Sequence, residues 1–303
     1  MNSFGRVIIL LSFGLLSACS GLTQMQDTLT KFDQGAHQVN TAEISLFRQL
    51  QTAECNRLFY NQAFDFTTAA SNIIDIKQVC TSNDYKDMTD ERLNIRKKLM
   101  DTITLYADAL QSLANGTDNK NLNDNSVKLV KDVQSIANNN KFIPSTVLGT
   151  NVQQDATILN TALVTITNMI LDHKKYADIK EAASEMNAPL AVVVNELKNE
   201  NMADTAKLTS EATLLAAQYV TALKKAREIN GVASFIDVVN ARNTYQSIVV
   251  STPNLTQLNA ALDALLVANQ ALSRTTNGGA IPEISDLISR GQQAATLYNS
   301  TKN

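Results

Sequence analysis

Residues 255–272 read LTQLNAALDALLVANQAL, and the spacing of their leucines predicts how much of the chain folds. Five of its six leucines, at 255, 258, 262, 265 and 272, follow one another at steps of three, four or seven residues. A repeat of about 3.5 residues is typical of helices that pack side by side at shallow angles. The stretch therefore predicts an amphipathic helix whose leucine face packs against other helices.

The same apolar spacing recurs in residues 99–113, 152–170 and 208–229. Strict alternation of apolar and polar residues, which would indicate strands, is nearly absent. The chain has 303 residues but only ten glycines and four prolines, well below the usual share of about 7% and 5%. Few turn-forming residues imply few, long elements. We expect an all-α fold, an elongated bundle of about five to seven antiparallel helices with heptad-like packing.

Polar and turn-forming stretches predict where these helices end. Loops are expected at residues 115–126, 138–150 and 275–282, and Gly231 and Pro253 are expected to lie at a helix end and a helix start. Pro189 falls inside a long helical pattern and is predicted to kink or break it. The polar segment 198–204 is predicted to reverse the chain, and Thr89 to cap a helix within the charged stretch 83–98.

The N-terminus combines a positive charge with a short apolar run. Arg6 is the first charged residue, and residues 7–16 are apolar apart from Ser12 and Gly14. This is the pattern of a secretory signal, and the run is too short to cross a membrane, which needs about 20 apolar residues. The run leads into Leu16-Ser17-Ala18-Cys19, which resembles the lipobox of bacterial lipoproteins.

That resemblance implies cleavage before Cys19 and attachment of diacylglycerol and palmitate at this residue. Ser20 is not the aspartate that retains such proteins in the inner membrane. We therefore expect an outer-membrane lipoprotein that faces the periplasm of a Gram-negative cell. The alternative is an ordinary signal cut nearby, with Cys19 incidental. The predicted organisation is a signal peptide at 1–18, a lipid-anchored tether at 19–40 and a helical-bundle domain at 41–303.

Cys55 and Cys80 are the other two cysteines of the chain. An even pair in an oxidising compartment favours a disulfide, although two buried free thiols are an alternative. One straight helix through both would hold them roughly 37 Å apart, whereas a disulfide needs Cα atoms within about 7 Å. The predicted bond therefore requires the chain to turn between them.

Residues that carry chemistry are sparse in this sequence. The two histidines are His37, in the predicted tether, and His173, in a charged helical segment. Neither belongs to a metal-binding motif or a catalytic triad, and the chain contains no glycine-rich phosphate loop. We therefore expect no enzyme activity, no cofactor and no metal.

Charge and composition narrow the range of partners. Removing residues 1–18 takes away one basic residue and leaves a net charge of −4, which argues against a nucleic-acid partner. The features together indicate a non-catalytic, lipid-anchored periplasmic bundle that binds or spaces another cell-envelope component through a protein partner. An immunity or exclusion lipoprotein directed at a toxin or phage component is one alternative, and a lipid-interacting helical bundle is another.

Overall fold

A computed structural model describes residues 4–64, 83–115, 177–230, 255–275 and 281–300, with four isolated helical positions at 124, 127, 131 and 243. The continuous ranges form five helices: α1 Phe4–Phe64, α2 Asn83–Asn115, α3 Ala177–Asn230, α4 Thr256–Arg274 and α5 Pro282–Ser300. Throughout these ranges no strand occurs. The predicted all-α class is confirmed.

The chain divides into two compact units. The first comprises residues 1–42, 97–196 and 256–303, and the second comprises residues 43–96 and 197–255. Helices α1, α2 and α3 each contribute to both units, because their ranges cross the boundaries near residues 42, 97 and 196. The predicted single bundle domain at 41–303 stays a prediction.

Residues 23–40 are part of the core rather than a tether. Five apolar side chains of this segment are between 0% and 3% exposed: Met25, Leu29, Phe32, Ala36 and Val39. They follow one another at steps of four, three, four and three residues, the same repeat as the leucines of α4. The tether prediction was wrong because polar residues between these positions obscured a regular buried stripe.

Helix α3 continues through both places where the sequence predicted an interruption. Pro189 lies inside the helix, and residues 198–204 continue it. Within residues 198–204, Asn201 is fully buried, and its Nδ2 donates a hydrogen bond of 3.0 Å to Oε2 of Glu43 on α1. Because this bond satisfies buried polar groups in the second unit, a polar segment that resembles a turn remains helical.

Several helix ends agree with the sequence. Helix α2 ends at Asn115, α3 ends one residue before Gly231, and α5 begins with Pro282. Two helix starts differ from the predicted ones, which were Pro253 and Thr89. Helix α4 begins at Thr256, and α2 begins at Asn83. Thr89 therefore lies inside α2 and is not its N-cap. Within the described ranges, no helix combines the length and the hydropathy needed to cross a membrane.

Four of the five leucines that predicted the apolar face of α4 are confirmed as buried, whereas Leu255 lies before the helix and is half-buried. Leu258, Leu262, Leu265 and Leu272 are buried, together with three alanines and Asn269. Helix α5 packs against α4 and also approaches α1 closely. A Cβ atom added at Gly35 of α1 would lie 2.6 Å from Cγ of Leu287 on α5, so only glycine fits there.

We predict that Gly35→Ala destabilises the protein by about 1–3 kcal/mol through overpacking. Alanine is a better helix former than glycine by up to about 1 kcal/mol, but its Cβ would lie only 2.6 Å from Cγ of the fully buried Leu287. Urea denaturation of the variant measures the change in the free energy of unfolding. In a Leu287→Ala background the same glycine substitution should be neutral or stabilising. A neutral Gly35→Ala in the original background would contradict the close contact.

Candidate functional site

A fully buried amide connects three helices in the first unit. Oδ1 of Asn269 on α4 accepts a hydrogen bond of 2.6 Å from the hydroxyl of Tyr106 on α2. Its Nδ2 donates to the carbonyl oxygen of Ala183 and to Oδ1 of Asn187, both on α3 and both at 2.9 Å. Both amide hydrogens and the amide oxygen of Asn269 are thereby used, as a buried polar group requires.

The network extends from Asn269 in two directions. Asn187 Nδ2 donates 3.3 Å to Oγ of Ser273, which donates 2.8 Å to the carbonyl oxygen of Gln270. On the other side, the ring of Phe32 on α1 meets the ring of Tyr106 edge to face, with centroids 6.1 Å apart and an interplanar angle of 85°. Burial raises the pKa of Tyr106 well above 10, so its hydroxyl remains a hydrogen-bond donor.

Three side chains that can bind a metal ion meet beside this contact. Asp33 follows Phe32 on α1, His37 lies one helical turn further along, and Asp108 lies two residues after Tyr106 on α2. Nε2 of His37 is 3.3 Å from Oδ1 of Asp108 and 3.4 Å from Oδ1 of Asp33. The three ligand atoms all lie within 4.8 Å of one another. We call these three residues the Asp–His–Asp cluster.

The cluster has one protected and two accessible members. The side chain of Asp33 is 17% exposed, whereas those of His37 and Asp108 are 50% and 41% exposed. Oδ1 of Asp33 is itself buried and accepts no hydrogen bond. Burial, a hydrogen bond with Asp108 and the charge of Asp108 raise the pKa of Asp33 to about 6, against a smaller opposing effect of His37. Two close carboxylates therefore disfavour full ionisation of the cluster.

The sequence drew attention to His37 but assigned it to a tether without chemistry. The structure places it in a packed helix opposite Asp108, which is 71 residues away in the chain. The pair Asp33 and His37, four residues apart, was the available signal, since such residues share one helix face. Asp108, the residue on α2 that these two side chains meet, is marked by no local sequence pattern. His173 lies outside the described residues.

The two predicted modification sites are described only in part. Cys19 lies within α1, with Cys55 further along the same helix. Cys55 is disulfide-bonded, whereas Cys80 lies outside the described residues. Cys19 precedes Cys55 by about 54 Å of helix, too far for a bond within one chain. Pairing of Cys55 with Cys80 stays a prediction, and peptide mapping under non-reducing conditions tests it.

Comparison with known proteins gives no relative: no family model, no curated protein and no solved structure matches this chain.

The raised pKa of Asp33 predicts how stability depends on pH. Between pH 3.8 and about 6 the folded protein retains a proton that the unfolded chain releases. The stabilising contribution of this proton is complete below pH 3.8 and is lost as the pH rises through about 6. One pKa unit corresponds to about 1.4 kcal/mol, and access of water to the cluster reduces the expected total to on the order of 1–2 kcal/mol.

Asp33→Asn should remove this loss of stability. Urea denaturation at pH 4.5 and pH 7.5, in buffer with EDTA, measures the change in the free energy of unfolding between these pH values for the original chain and the variant. Asp286→Asn is the matched control, because it removes an exposed carboxylate that pairs with Arg290 on α5. Equal pH dependence in the two variants would show that Asp33 does not carry the effect.

Proposed function

We propose that this protein is a lipid-anchored helical bundle of the bacterial outer membrane that faces the periplasm and binds or spaces another envelope component without catalysis. The observation that carries the proposal is the apolar run that ends in Leu16-Ser17-Ala18-Cys19. Three acyl chains at Cys19 would anchor the chain firmly, because each buried CH₂ group contributes about 0.8 kcal/mol.

The position of Cys19 relative to the core supports a bundle held close to the membrane. Cys19 lies within α1, and Met25, six residues later, is only 3% exposed. Six helical residues extend about 9 Å. Cleavage before Cys19 would therefore attach the lipid almost directly to a packed helix. This short connection favours a component that works at the membrane surface.

Exposed apolar side chains along α3 support the protein-binding part of the proposal. Met202, Leu214 and Val220 are 49%, 62% and 52% exposed. Among the residues between them whose side chains the structure describes, the exposed ones are alanine, serine, threonine and glutamine. Hydroxyls of three threonines on this helix bond to backbone carbonyls four residues earlier: Thr209, Thr213 and Thr221. Their hydrogen-bonding needs are thus met within the helix, which suits the surface to contact with another protein.

Cys19→Ser tests the anchor. In cells labelled with palmitate, the original chain should carry label and sediment with membranes, whereas the variant should carry no label and remain in the soluble fraction. Cys55→Ser is a control for general effects of losing a thiol. Label and membrane association that persist in Cys19→Ser would overturn the lipid anchor.

Site-specific crosslinking tests the partner surface. A photoreactive residue at Leu214 should give a discrete adduct with another envelope protein in living cells. The same probe at Glu181, an exposed and charged position on α3, should give none. Absence of an adduct at Leu214, or equal adducts at both positions, would count against binding through this surface. Adducts with lipid alone would favour a lipid-interacting bundle instead.

A further inference from the structure

We propose that Asp33, His37 and Asp108 form a binding site for a divalent transition-metal ion such as Zn²⁺. Nothing in the proposed envelope function requires this site. The site joins α1 to α2 within the first unit and supplies one imidazole nitrogen and two carboxylate oxygens.

Two of the three distances between ligand atoms in the cluster match the spacing of ligands around a tetrahedral ion. Zinc binds histidine nitrogen and carboxylate oxygen at about 2.0–2.2 Å, so neighbouring ligand atoms of a tetrahedral site lie about 3.3–3.5 Å apart. Nε2 of His37 lies 3.4 Å from Oδ1 of Asp33 and 3.3 Å from Oδ1 of Asp108. The third pair of ligand atoms, one from Asp33 and one from Asp108, lies within 4.8 Å, so binding of an ion between the three atoms requires the side chains to adjust.

The hydrogen bonds within the Asp–His–Asp cluster do not satisfy all of its ligand atoms. Oδ1 of Asp33 is buried and accepts no hydrogen bond. A neutral imidazole has one N–H hydrogen, so Nε2 of His37 cannot fully satisfy two carboxylates. A divalent cation would neutralise the two carboxylates and give each of the three atoms a bond. Binding to His37 replaces a proton on Nε2 if the neutral ring carries its hydrogen there.

The helices hold two of the ligands in advance. Asp33 and His37 are one turn apart on α1, so both lie on the same face of the helix. Two contacts pack the positions of α1 that flank these ligands. Phe32 contacts Tyr106, and Gly35 contacts Leu287. Three protein ligands leave the fourth tetrahedral position for water, and the half-exposed His37 and Asp108 give it access. Borderline nitrogen and oxygen donors favour Zn²⁺, Co²⁺ or Ni²⁺ over Ca²⁺ or Mg²⁺.

The chain offers a matched pair of variants, since His37 and His173 are its only histidines. The purified full chain is first treated with EDTA and dialysed. Titration with ZnCl₂, followed by calorimetry and by the shift in thermal midpoint, should show one saturable ion per chain and stabilisation by mass action. Bound Co²⁺ should give the intense visible absorption of a tetrahedral site.

We expect His37→Ala to lose binding and the cobalt spectrum, and His173→Ala to retain both. Substitutions that only support a ligand weaken metal affinity about 10- to 100-fold, so loss of a ligand in Asp108→Asn should weaken it by at least that factor. Asp108 is 41% exposed, and circular dichroism will verify that this variant is folded. Failure of the original chain to bind, or equal loss of binding in His37→Ala and His173→Ala, would overturn the proposal.

Discussion

The buried amide of Asn269 is the interaction on which the packing of the first unit depends. An amide inside an apolar core is tolerated only when its hydrogen bonds are made, and leaving one unmade costs about 1–3 kcal/mol. Asn269 meets this condition with Tyr106 of α2 and with Ala183 and Asn187 of α3. Sliding any of these helices by one turn would break the hydrogen bonds of Asn269. Leucine faces can pack in more than one register, so the polar group selects one of them.

The position of the Asp–His–Asp cluster follows from that register. Tyr106 touches Phe32, and the next residue on α1 is Asp33. Asp108 lies two residues beyond Tyr106, and His37 lies within 3.4 Å of both carboxylates. A bundle held by apolar contacts alone would have no reason to keep these three side chains at such distances. The fold therefore supplies the rigid support that a metal site on two helices requires.

Local patterns in the sequence identify the helices but not their partners. The leucines of α4 predicted a buried face, and asparagine or glycine correctly marked the ends of α2 and α3. The burial of residues 23–40 was missed because polar residues separate the five apolar positions of its stripe. Helix α3 was divided in error at 198–204, since the bond of Asn201 to Glu43 joins residues 158 positions apart. Asp108 was missed for the same reason: its meeting with His37 is set by tertiary packing.

The most direct test of this account is a double-mutant cycle between Tyr106 and Asn269. The free energy of unfolding is measured by urea denaturation for Tyr106→Phe, Asn269→Ala and the double variant. If the buried hydrogen bond fixes the register, the two residues should show a coupling energy of about 1–2 kcal/mol, and Tyr106→Phe should cost little once Asn269 is absent. Single-variant effects that add within about 0.5 kcal/mol would contradict the account.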